Sequence, residues 1–207
     1  MKINLIVCIL FLFVFAAPVR AAQKIRRALP VVVDASDVTE KPKMAVRIDE
    51  GRPVYIHSNK KFDCSGAVNH GGGCTRVVFF AEINGIKLTP AGTVSEIGLL
   101  IGLKNIEVEV SSELQKGSCL FDAVLKHELT HLALHRRILS RFAPEIAKAV
   151  LSVVETLSAP LTQLQLDKIN KVLLGFVDRM MAEDKKQNEL MDTQDAYIHL
   201  QNQCRKQ

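Results

Sequence analysis

Residues 119–137 read CLFDAVLKHELTHLALHRR, and within them His127-Glu128-Leu129-Thr130-His131 spells HExxH. Leu120, Val124, Leu125, Leu129, Leu132 and Leu134 recur at helical spacing, with no Pro or Gly between Cys119 and Ala143. The pattern predicts a helix. On it, His127 and His131 share one face and stand about 6 Å apart along the axis. That bite suits one tetrahedral ion. Glu128 lies roughly 100° round the helix, beside such an ion rather than on it. In HExxH the two histidines take zinc and the glutamate works on the bound water. The plainer alternative is two surface histidines that flank a glutamate by accident. Apolar residues crowd both flanks, however, and a buried His-Glu-His run needs partners because unpaired buried polar groups are costly.

HELTH in an apolar helix resembles the active-site helix of the zincin metallopeptidases. The wider pattern is similar to small bacterial secreted zincin-like proteins. It includes Gly117-Ser118-Cys119 ahead of the motif, and Asp192-Thr193-Gln194-Asp195-Ala196-Tyr197 followed by Cys204. The likeness covers roughly the second half of the chain. It implies a zinc cofactor and a peptide or protein substrate. In zincins a strand beside the cleft often holds extended substrate by edge pairing, which residues 76–83 or 106–110 could do here. An ordinary sheet edge is the plainer reading of both. The metzincin subclass is excluded, because Arg137 stands where its third histidine belongs.

The N-terminus reads as a secretory signal peptide over residues 1–21. Lys2 precedes a 13-residue apolar run, Leu5 to Ala17, too short to span a bilayer comfortably. Val19-Arg20-Ala21 offers a cleavage site before Ala22. Cys8 lies inside the apolar run, which argues against a lipid-anchor cysteine. Cleavage leaves 186 residues, expected to form a single zincin-like domain over 22–207. Loss of Lys2 and Arg20 lowers the net charge from +5 to +3. Lys24, Arg26 and Arg27 read as a solvated tail, and no arginine-rich stripe with interleaved aromatics suggests nucleic acid. Secretion or a periplasmic location follows, with no membrane span after cleavage.

Four cysteines remain: Cys64, Cys74, Cys119 and Cys204. An even count behind a signal peptide reads as disulfides. Cys64–Cys74 would staple the short SGAVNHGGG loop and leave Cys119 with Cys204, one of three possible connectivities. Zinc binding through Cys64, His70 and Cys74 is the alternative, although that spacing fits no common template.

The expected fold class is α+β, a small N-terminal β-sheet region followed by a helical half that carries HExxH. Short strands are predicted at 30–33, 44–48, 53–57, 76–83 and 106–110. Asn84-Gly85 is expected to turn the chain into a return strand at 86–88. His57 and His70 read as surface residues. In the second half, Pro144 is expected to end the HExxH helix and open a new one over 145–157. A third helix is predicted over about 161–181. The charged tract 182–188 is expected to bend or expose the chain before a last helix, from 190 or 193 to Cys204.

A catalytic zinc site needs a third protein ligand, with water in the fourth position. His135 continues the stripe but lies about 12 Å from His127 on a straight helix, too far to share one ion, and reads as a residue behind the ligands or on the surface. Glu155 could approach if the second helix folded straight back, but it belongs to a polar stripe with Glu145, Lys148 and Ser152. Asp192 and Asp195 are favoured. If Cys119 and Cys204 are bonded and the last helix runs antiparallel to the first, Asp192 falls opposite His131 and Asp195 opposite His127. The competing reading makes Asp192 an N-cap with Asp195 at N3.

The resulting expectation is a zinc metallopeptidase. His127, His131 and Asp192 or Asp195 would be its ligands, Glu128 its general base and Tyr197 a donor to the developing oxyanion. A core tyrosine is the plainer reading of Tyr197. Two other classes stay open: a secreted binding protein with a structural or relic metal site, and a disulfide-stapled envelope protein without metal.

Overall fold

The computed structural model describes residues 32–33, 41–58 and 72–205, without the side chains of 32, 33 and 197. The proposed signal peptide and cleavage site, Cys64 and His70 lie outside these residues.

The fold is α+β. Among the described residues, five strands, β1 (Val32–Val33), β2 (Lys43–Asp49), β3 (Val54–Ser58), β4 (Gly73–Leu88) and β5 (Val94–Ser111), precede three helices, α1 (Cys119–Val154), α2 (Gln163–Met191) and α3 (Gln194–Cys204). The long antiparallel pair β4–β5 forms the middle of one sheet. On the other side of β5, β2 and then β3 pair in parallel, against residues 96–102 and 107–111. Strand β1 pairs in parallel with β4 at Lys87 and Leu88. Residues 106–110 are therefore flanked on both sides and cannot serve as a sheet edge.

Alternation along β5 builds the core. Ile97, Leu99, Ile101 and Leu103 are fully or almost fully buried on the helical face. Asn105, with φ 52°, shifts the alternation by one residue, so that Ile106, Val108 and Val110 return to the same face. Against them pack Leu132, Leu139, Ile146 and Val150 of α1, then Ile169, Leu173 and Met180 of α2.

Three local expectations are corrected. Asn84-Gly85 does not turn the chain. It lies within β4 at a register irregularity, and Gly85 stands opposite Gly98. The turn is made by residues 89–93, where Thr89 N donates to Thr93 O at 2.8 Å and Gly92 takes φ +79°. The later turn lets Ile86 pair with Ile97, burying both, and Lys87 reach Glu96 at 2.8 Å.

Pro144 does not end a helix either; α1 runs through it to Val154. The apolar face is continuous across it, with Phe142, Ala143, Ile146 and Val150 all buried. Pro144 and Ser140, whose carbonyl loses its helical partner, are on the exposed side. Core burial thus outweighs the roughly 3 kcal/mol cost of an internal proline.

Finally, the charged tract 182–188 does not bend the chain but continues α2 as helix, with Ala182, Lys185 and Lys186 exposed as expected. Thr162 opens that helix with a capping box to Gln165.

Candidate metal centre

Ser118 caps helix α1, its hydroxyl accepting from Phe121 N at 3.2 Å. Two turns on, His127 and His131 face the corner between α2 and α3. Asp192 sits at that corner as the C-cap of α2, while Thr193 caps α3 by accepting from Ala196 N. The capping reading of Asp192 therefore fails: it ends one helix and does not begin the next.

One carboxylate oxygen, Asp192 Oδ1, lies 3.0 Å from His127 Nε2 and 2.9 Å from His131 Nε2. The two imidazole nitrogens are 3.1 Å apart. Bonds of about 2.0–2.1 Å place tetrahedral zinc ligands roughly 3.3–3.4 Å from one another, so this triangle is slightly tighter than a loaded site. His127, His131 and Asp192 form a group that could hold a metal ion.

The chemistry of the donors fits as well. His131 Nδ1–H donates to Asn188 Oδ1 at 2.6 Å, which turns the Nε2 lone pair inward. A neutral imidazole in that pose sets its lone pair against a carboxylate oxygen, an arrangement that calls for a proton or metal cation between them. Burial pulls the His131 pKa down, but the hydrogen bonds to Asp192 and Asn188 and the charge of Asp192 raise it overall. Burial pushes Asp192 up, yet the hydrogen bonds from His127 and His131 hold it well below the usual carboxylate range.

Glu128 faces a different neighbour. It is 2% exposed and packs on the start of β4, which runs alongside α1 in the same direction. Thr75 Oγ1 lies 3.0 Å from Glu128 Oε2 and 2.9 Å from Glu128 O, within donating reach of both. Gly73 leaves room for the carboxylate: a Cβ there would lie 2.8 Å from Glu128 Cγ and Oε1. Desolvation raises the Glu128 pKa, against the lowering influence of His131, Thr75 and His127. Thr75 and Gly73 carry no sequence signal, because neither belongs to a motif; only the packing of β4 on α1 reveals them.

The other candidates separate. Asp195 is exposed in the first turn of α3, outside the group. Glu155 is exposed at the C-cap of α1, 24 residues beyond His131 on the same helix and so about 36 Å away along the axis. It cannot reach the site because α1 never folds back. Tyr197 stands on α3, with its side chain outside the described atoms. His135 is buried and bonds through Nδ1 to Asp184 Oδ1, so it is neither ligand nor surface residue. His57 is exposed, with Nε2 3.1 Å from Leu114 O.

Cys119 and Cys204 are bonded, with Cα atoms 5.6 Å apart, and tie the end of α3 to the start of α1. Cys74 is also disulfide-bonded, which leaves it unavailable for the alternative zinc site with Cys64 and His70. No described helix is long and apolar enough to cross a membrane. No family model, curated protein or solved structure matches the chain.

Proposed function

We propose that this chain is a zinc-dependent hydrolase of peptide bonds, secreted or periplasmic, with His127, His131 and Asp192 as protein ligands. The observation that carries the reading is the convergence of His127 Nε2, His131 Nε2 and Asp192 Oδ1 beside Glu128 of the same helix. A zinc ion held there would supply a water acidified towards neutrality and a Lewis acid for a carbonyl oxygen.

The chain's own groups do the rest. Glu128 accepts the proton of the attacking water and returns it to the leaving amine, a task suited by a carboxyl pKa raised through burial. Thr75 fixes the direction of that carboxylate through Oε2. Asn188 holds His131 in the tautomer that presents Nε2. Tyr197 is the candidate donor to the oxyanion. Apart from β1, no described strand pairs along the outer edge of β4, so its residues 76–83 could align an extended peptide.

One observation favours a second reading, a binding protein with a structural metal site: Glu128 is almost wholly enclosed and already bonded to Thr75. Metal analysis and a peptidase assay with and without chelator test both. About one zinc per chain with chelator-sensitive cleavage supports the hydrolase. Zinc without cleavage supports the structural site, and no zinc removes both.

A further inference from the structure

We propose that the buried pair His135–Asp184 is a positioning device for the metal centre, setting α2 against α1 so that Asn188 and Asp192 meet the HExxH histidines. The inference rests on the metal reading above and adds to it two residues outside the HExxH motif and the ligand set.

The two helices face each other as a ladder. On α1, His127, His131 and His135 follow at intervals of four. On α2 and its C-cap, Asp192, Asn188 and Asp184 follow at the same interval in the opposite direction. Each facing pair is bonded: His127 Nε2 to Asp192 Oδ1, His131 Nδ1 to Asn188 Oδ1, and His135 Nδ1 to Asp184 Oδ1. Only the first two of these rungs involve the proposed ligands.

The third rung matters because of how α2 is held. Its fully buried residues are Ile169, Leu173 and Met180. From Met181 to Asp192 no described side chain is fully buried, although Met191 packs partly on the core. Three turns of helix that deliver Asn188 and Asp192 therefore have no fully buried apolar anchor among the described side chains, and only Met191 touches the core. The ion pair Arg141–Glu183, at 3.4 Å, is largely exposed and contributes little. His135 is different. It is 3% exposed, stacks edge-on against Phe79 of β4 at 6.1 Å, and holds Asp184. It thus references α2 to the sheet as well as to α1. Asn188 and Asp192 follow one and two turns later, so an error in this rung is carried to both. Burial of a histidine whose Nε2 has no described partner is costly, which also argues that the residue is kept for its other nitrogen.

The test is zinc affinity by competition with a chromophoric chelator, together with the visible spectrum of the cobalt-loaded protein, which reports ligand geometry. Parent, Asp184→Ala, Asp184→Asn, His135→Phe and Leu173→Ala are compared. Leu173→Ala is the control, since it loosens the same interface from the apolar end. We expect Asp184→Ala and His135→Phe to weaken zinc about tenfold or more, as loss of an outer partner does, and to alter the cobalt spectrum. Asp184→Asn, which preserves shape and an acceptor oxygen, should retain most of the affinity and provides a folded variant if the others do not fold. Leu173→Ala should lower the melting temperature while keeping the parental spectrum. Parental affinity and spectrum in both Asp184→Ala and His135→Phe would overturn the proposal, as would an equal loss of affinity in Leu173→Ala. A parent that binds neither metal would instead overturn the metal reading on which it rests.

Discussion

Thr75 on β4 and Glu128 on α1, 53 residues apart in sequence, meet through a hydrogen bond of 3.0 Å between a hydroxyl and a carboxylate oxygen. The contact joins the sheet to the one acidic residue of HExxH. It also gives that residue a direction, which the helix alone does not.

The first prediction concerns Glu128→Gln. It should bind zinc with parental affinity, because Glu128 is not in the ligand group, and lose hydrolysis. It should also change the pH dependence of stability in the metal-free protein. Burial raises the folded pKa above the ordinary 4.5, so the folded state holds its proton longer than the unfolded one. The associated stability is fully present below about 4.5 and is lost as pH rises through the folded value. The glutamine variant escapes that loss. Its melting temperature relative to the parent should rise from acid to neutral pH. A constant difference would contradict the burial argument, and undiminished cleavage would remove Glu128 as the base.

Gly73→Ala probes the same contact from the strand. The new Cβ would lie 2.8 Å from Glu128 Cγ and 2.9 Å from Val124 Cγ1. Relief requires Glu128 or α1 to move, at about 1–3 kcal/mol of stability. Hydrolysis should fall much further than zinc affinity, since His127, His131 and Asp192 are not among the nearest atoms. Equal losses in the two assays would show that the strand supports the whole centre rather than Glu128.

Asp192→Ala should weaken zinc by more than about 100-fold, beyond what loss of an outer hydrogen-bond partner costs. Asp195→Ala and Glu155→Ala should bind like the parent. Both carboxylates are exposed and stand outside the group that could hold a metal. Zinc titration of the three variants checks the ranking, and loss of affinity in Asp195→Ala alone would reverse it.

Cys204→Ser should free α3. Among its described side chains none is fully buried, and an isolated helix of 11 residues is marginal in water. The bond closes a separation of 85 residues, so chain entropy allows a loss of up to about 4–5 kcal/mol. Hydrogen exchange should quicken across α3 first, with α1 and the sheet still protected, and the denaturant midpoint should fall. Unchanged protection of α3 would mean that other contacts hold it.

The amino-acid sequence alone establishes the class of the fold, the helix that carries HExxH and the shared face of His127 and His131, and it offers Cys119–Cys204 within one of three connectivities. The first three rest on local periodicity and on a motif confined to one turn. It also brought Asp192 forward as a candidate, through a register argued from the disulfide. How far α1 runs, where β4 turns, which acid meets the histidines and that Cys119 bonds to Cys204 follow from tertiary packing. Pro144 and Asn84-Gly85 are strong local signals, but burial of Ile146, Val150, Ile86 and Ile97 overrides them. Asp192 rather than Asp195 stands at the centre because α2 continues through a charged tract and ends beside His127. Thr75, Gly73, Asn188 and Asp184 carry no signature of their own. Their roles come from which side chains face them across the packed layers, a long-range property that no window of sequence contains.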